Sequence, residues 1–133
     1  MDKEQYVTYK VAQLLKEKGL PQSTSICNVV YKPNGKISFN AKSFINPHYF
    51  FKDCYIFAPT QQMAMRWLRE EHGIDIIPVI QHRWRYSQES PFKEYSCRVY
   101  DSDGNIVMSA TKWYSRYERT VEAALEYVLK NLI

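Results

Sequence analysis

Apolar residues recur three and four positions apart in three stretches of this chain and at every second position in several others, and these two periods outline its elements. Val7, Val11, Leu14 and Leu15 form one apolar stripe, which predicts a first helix from about Lys3 to Lys18 with Asp2 as its cap. Gly19 and Pro21 stop it, because glycine takes the left-handed conformation and proline cannot continue a helix. Two β-prone runs follow, Ile26-Cys27-Asn28-Val29-Val30-Tyr31-Lys32 and Ile37-Ser38-Phe39, on either side of Pro33-Asn34-Gly35-Lys36. Asn-Gly accepts positive φ, so this is a hairpin signal. Over residues 41–58, the runs Tyr49-Phe50-Phe51 and Cys54-Tyr55-Ile56-Phe57-Ala58 fit either a strand or a loop packed on the core.

A second helix is predicted after Pro59, with Thr60 as N-cap, Met63, Ala64, Trp67 and Leu68 as its buried face, and Gly73 as its end. From Ile74 to about Tyr86 the chain alternates. Ile74, Ile76, Ile80, His82, Trp84 and Tyr86 share one face, predicted to be inner; Asp75, Ile77, Val79, Gln81, Arg83 and Arg85 share the other. Pro78 removes a ladder donor and marks an edge strand or a bulge. After a loop at Gln88-Glu89-Ser90-Pro91, a strand from Glu94 to Tyr100 turns Tyr95, Cys97 and Val99 inward and Ser96, Arg98 and Tyr100 outward. Asp101-Ser102-Asp103-Gly104 is a turn. A further strand from Asn105 to Tyr114 is expected to point Ile106, Met108 and Ala110 inward. The last helix, about Arg119 to Leu132, carries Val121, Ala124, Leu125, Val128, Leu129 and Leu132 at i, i+3, i+4 spacing. The order α-β-β-(β)-α-β-β-β-α, with strands joined by tight turns, predicts an α+β fold with three helices and an antiparallel sheet.

Length adds that 1–133 is a single globular domain, large enough to bury roughly two thirds of its unfolded surface. Aromatic residues make up 15%, and the 11 tyrosines among them suit half-buried sheet faces and contact surfaces. No apolar run approaches the ~20 residues of a membrane span, and the polar start Met1-Asp2-Lys3-Glu4-Gln5 lacks the apolar core of a secretory signal, so a cytoplasmic protein without membrane contact is expected. Cys27, Cys54 and Cys97 are odd in number and widely spaced, which argues against a zinc or disulfide framework and for buried thiols in a reducing compartment. The net charge of +4 is uneven: residues 1–66 carry nine Lys/Arg and four Asp/Glu, residues 67–133 nine and ten. That permits an anionic partner without demanding one.

Candidate chemistry is thin. Four scattered glycines form no phosphate-binding loop and no nucleophile elbow. Asp101-Ser102-Asp103-Gly104-Asn105 lacks the later glutamate of a calcium loop and reads as a hairpin turn. His48, His72 and His82 have no cysteine at ligand spacing; His72 suits the negative end of the second helix, and His82 reads as a half-buried inner-face residue. Glu70-Glu71 and Asp101/Asp103 read as solvated acids at a helix end and a turn. No catalytic set, cofactor or metal is implied, and the chain is not expected to be an enzyme. The most suggestive feature is the outer face of the last three strands, where alternation places Arg83, Arg85, Arg98, Tyr100, Thr111 and Trp113. Such a basic and aromatic face can bind nucleic acid by phosphate contacts and stacking. It equally describes an ordinary solvated sheet face, with arginine stems lying on aromatic rings. Residues 60–133 share the element order of a double-stranded-RNA-binding domain, but the expected lysine cluster is replaced by Tyr117-Glu118-Arg119-Thr120-Val121-Glu122.

Three stretches, Tyr6-Val7-Thr8-Tyr9-Lys10-Val11-Ala12-Gln13-Leu14-Leu15-Lys16, Pro59-Thr60-Gln61-Gln62-Met63-Ala64-Met65-Arg66-Trp67-Leu68-Arg69-Glu70 and Thr120-Val121-Glu122-Ala123-Ala124-Leu125-Glu126-Tyr127-Val128-Leu129, resemble small uncharacterised proteins of bacteriophages and mobile elements in gut bacteria. The resemblance implies a setting and no activity. The expectation is a small accessory domain that binds a protein partner or itself, with nucleic-acid binding through Arg83, Arg85, Arg98, Tyr100 and Trp113 as the alternative.

Overall fold

The structure, a computed structural model, describes residues 5–22, 29–39, 55–83, 92–108 and 113–133. The expectations resting on Asp2, Cys27, Cys54, His48, Trp84, Arg85, Tyr86, Ala110 and Thr111, and on residues 49–51 and 88–91, lie outside these. Helix α1 spans Tyr9–Glu17, and the Thr8 side chain caps it by accepting from the Val11 N–H at 3.3 Å. It begins later than the apolar spacing predicts, because the residues before it are extended. The Val7 N–H donates to Pro59 O at 3.0 Å, and the Gln61 N–H donates to Gln5 O at 2.8 Å. Val7 is buried, but as part of this extended pairing and not of the helix.

Strands β1 (Val30–Tyr31), β2 (Ile37–Ser38) and β3 (Ile56–Phe57) form an antiparallel sheet in the order β2-β1-β3. The expected hairpin joins β1 and β2. The Lys32 N–H donates to Lys36 O and the Gly35 N–H to Lys32 O, both at 2.8 Å, and Gly35 has φ 82°. This is a three-residue loop closed by a left-handed glycine. Helix α2 spans Gln61–His72, capped as expected by the Thr60 side chain, which accepts from the Met63 N–H at 3.1 Å, and ended by Gly73 at φ 66°.

Strands β4 (Asp75–Arg83), β5 (Phe92–Tyr100) and β6 (Ile106–Met108) form a second antiparallel sheet in the order β4-β5-β6. The class is α+β as expected, with two three-stranded sheets in place of one. Pro78 sits in β4, which pairs only with β5 among the described strands, so its missing N–H falls on an edge strand.

Helix α3 spans Tyr117–Asn131 and is the centre of the core. Its Val121, Leu125, Val128 and Leu129 are fully buried in one cluster with Ile76, Cys97 and Val99 of the second sheet, Val11 and Leu15 of α1, and Ala64 and Leu68 of α2. Each such aliphatic side chain stabilises the fold by roughly 1.5–3 kcal/mol relative to leaving it in water.

Four expectations need correction. On α2, Met65 and Gln61 are buried, whereas Met63 is only half-buried. Ile80 and His82 are exposed although they share the inner face with Ile76. The first turn of α3 stacks Tyr117 edge-on against Tyr95, the partner of Ile80 in the ladder, with ring centroids 5.9 Å apart, so among the described residues the helix begins at the Ile80 row, leaving Ile80 at its margin and His82 beyond it. Ile106 is exposed for a different reason, a β-bulge described below. Among the described residues no helix is long and apolar enough to cross a membrane.

Candidate functional site

The second sheet turns one face to α3 and the other outward. Side chains directly opposite in an antiparallel ladder share a face, so the register identifies the outer set. Asp75 lies opposite Tyr100, Ile77 opposite Arg98, Val79 opposite Ser96 and Gln81 opposite Glu94. At the β5–β6 junction, Tyr100 pairs with Ile106 whereas Val99 pairs with Met108. Val107 is therefore an extra residue, a bulge that changes the phase of alternation. Met108 packs against the core beside Val99, and Ile106 joins Tyr100 on the outer face.

The outcome is an apolar band on the surface. Ile77 is 45% exposed and Ile106 is 54% exposed, one on each side of β5, with half-buried Tyr100 between them and Val107 also exposed. Farther along β5, Ser96 is fully buried, so the open area ends there.

Of the residues expected to form a basic and aromatic patch, Arg98 and Tyr100 do share this face. Among the described residues, the ladder neighbours of Arg98 are Ile77 across from it and Asp75 on the diagonal, not other cations. Arg83 lies opposite Phe92 at the far end of the ladder, about 20 Å along the strand from the Arg98 row at the usual rise per residue. Trp113 is half-buried and precedes Tyr114, which forms a bridge with Tyr95 in the middle of β5. Arg85 is outside the described residues.

An open groove of about 810 Å³ lies where residues 5–8, the start of α2 and the exposed side of α3 meet. Its floor is a polar junction. Gln61 is only 3% exposed, and its side-chain amide donates to Glu118 O and to Glu122 Oε2, each at 2.8 Å. Glu122 Oε1 in turn accepts from the Thr8 N–H at 2.6 Å, a favourable place for a carboxylate because α1 starts there. At the rim, Arg119 lies over the Tyr114 ring with its guanidinium carbon 5.6 Å from the centroid. Glu126 is held below the ordinary carboxylate range by its bond to Lys10, and next by that to Lys130, both at 2.7 Å. Lys10 is raised by the same bond to Glu126. Burial, and then the Glu122 charge, raise the Tyr31 phenol, whose hydroxyl donates to Val7 O at 2.6 Å.

Elsewhere several candidate groups serve the fold. Asp101 Oδ1 accepts from the Asp103 and Asn105 N–H groups at 3.0 and 2.9 Å, so this carboxylate organises its own turn. His72 stacks edge-on to Trp67 at 4.9 Å. Cys97 is fully buried, and burial pushes its thiol up to about 12, far from the range of a nucleophile. Among the described residues no three His, Cys, Asp or Glu side chains gather to hold a metal.

Sequence reasoning missed two parts of this surface. The Gln61–Glu122 junction spans 61 positions in the chain and has no local signature. The outward turn of Ile106 depends on a bulge, to which the Gly104-Asn105-Ile106 start of the strand gave no clue. No family model, curated protein or solved structure matches the chain.

Proposed function

We propose that the chain is a small non-enzymatic accessory domain that docks a protein partner through the outer face of β4–β6. The observation that carries the reading is the band Ile77–Tyr100–Ile106, where two isoleucines about half exposed flank an aromatic ring on one sheet face. Contiguous apolar surface of this kind, bordered by polar residues such as Asp75 and Arg98, is what docking surfaces present to water before their partner covers them. A non-catalytic role is supported by the commitments of the acids and the thiol: Glu122, Glu126 and Asp101 are bonded within the fold, and Cys97 is buried. The resemblance of the helices to phage and mobile-element proteins favours a bacterial cytoplasm as the setting for a test.

A photo-crosslinking amino acid at Ile106, compared in bacterial cells with the same group at exposed Gln62 on α2, tests the reading. Covalent adducts from position 106 and none from position 62 are expected. Equal yields, or none from 106, would overturn it. The nucleic-acid alternative draws support from Arg98 and Tyr100 lying side by side on the face. It requires RNA or DNA binding that weakens steeply with salt and is reduced by Arg98→Ala.

A further inference from the structure

The outer face carries its charged and apolar side chains in a self-complementary arrangement. Asp75, Ile77, Arg98 and Tyr100 occupy the four corners of one cell of the β4–β5 ladder, with Asp75 opposite Tyr100 and Ile77 opposite Arg98. The two charged residues therefore lie on one diagonal and the two apolar ones on the other. Neither Arg98 nor Asp75 has an ion-pair partner among the described residues. A two-fold axis in the plane of contact, along the Ile77–Tyr100 diagonal, brings a second copy face to face with the first. It sets Ile77 and Tyr100 against their own equivalents and carries Arg98 of each copy over Asp75 of the other.

We propose that the partner is a second copy of this chain, joined through an isologous interface in which Ile77, Tyr100 and Ile106 form the centre and two Arg98–Asp75 ion pairs close it. This deepens the docking-face reading and rests on it. The geometry suits sheet packing. With strands about 4.8 Å apart and two residues rising about 6.8 Å, the diagonal lies roughly 35° from the strands. Strands of the two copies then cross at roughly 70°, near the orthogonal class of face-to-face packing. An isologous interface must be complementary to itself, and a cell with unlike charges on one diagonal and apolar side chains on the other meets that condition. Asp75 also sets the orientation, since a copy rotated out of this register would leave Arg98 over Ile77.

The test is sedimentation equilibrium of the intact chain from about 1 μM to about 1 mM, the range in which interfaces of modest size dissociate. Dimers are expected. Arg98→Asp and Asp75→Arg should each weaken dimerisation at least tenfold by setting like charges together, and the double variant Asp75→Arg/Arg98→Asp should regain most of the loss. Thermal melts of each variant check that the fold is retained, and Ile106→Ser provides a break that does not depend on charge. A monomer across the whole range, or a double variant as weak as the singles, would overturn the second copy. If the chain is monomeric while position 106 still yields adducts with a different protein, the docking face survives and only this occupant fails. If position 106 yields nothing, the docking reading itself fails.

Discussion

The side-chain amide of Gln61 lies 2.8 Å from Glu122, with its own oxygen-bearing neighbour Glu118 O at the same distance, and the two residues join the start of α2 to the second turn of α3. Because Glu122 also accepts from the Thr8 N–H, this one carboxylate ties three segments together: the cap of α1, the first residue of α2 and the exposed side of α3. The arrangement suits glutamine and no acid. Gln61→Ala should lower stability by about 1–3 kcal/mol, the usual effect of stranding partly buried partners. Gln61→Glu should be worse at neutral pH, because a second carboxylate would face Glu122. The deficit should shrink as pH falls through the carboxylate range and one of the two takes a proton. Urea midpoints of the parent and both variants at pH 7 and pH 4 measure this.

Cys97 predicts an alkaline limit. In the folded chain burial pushes its thiol up to about 12, whereas the exposed value is 9.0. Between those values the unfolded chain has released the proton that the folded chain still holds, so stability is fully present below pH 9 and is lost as pH rises toward 12. The slope from this group approaches about 1.4 kcal/mol per pH unit. Tyr31, also raised, adds to it at the upper end. Cys97→Ala should be less stable at pH 7 from the lost packing, yet its stability should fall less steeply between pH 9 and pH 10.5. Denaturation at a series of alkaline pH values under reducing conditions compares the two slopes.

Gly73 is held by two constraints at once. Its φ of 66° disfavours a side chain, and a Cβ placed there would come 2.8 Å from Ser102 Cβ in the β5–β6 turn. Gly73→Ala should therefore cost more than the roughly 1 kcal/mol of a left-handed alanine alone. Ser102→Gly, which removes the opposing carbon, should restore the contact part and leave the conformational part. A double-mutant cycle on melting free energies separates the two, and a coupling of zero would mean that the turn simply moves aside.

Much of the fold was legible because its signals are local. Thr60 and Gly73 bracket α2, Asn34-Gly35 turns the first hairpin, Pro78 marks an edge, and the buried positions of α3 follow its apolar spacing. The misreadings share a cause in long-range geometry. Val7 continues the apolar spacing of α1 yet belongs to an extended pairing with residue 59. Met63 and Met65 are both plausible on an isolated α2, and only the packing of the whole core distinguishes them, with Met65 in the buried cluster. Alternation identifies the inner face of β4 but not how far a helix covers it, so Ile80 reads as core and is half exposed. The outer face was partly legible: Arg98 and Tyr100 lie where alternation puts them. Its apolar character was not, because Ile106 reaches it through a bulge.

That bulge makes one position in the second sheet unusually forgiving of changes in chain length. Losing a residue from the middle of β4 or β5 would reverse the address of every side chain that follows. Losing Val107 would not, since Ile106 already stands opposite Tyr100 and Met108 already stands opposite Val99. A shortened β6 would keep both partnerships with one kink fewer. A deletion at this point would change the curvature of the surface while leaving both partnerships in place, a freedom that β4 and β5 lack.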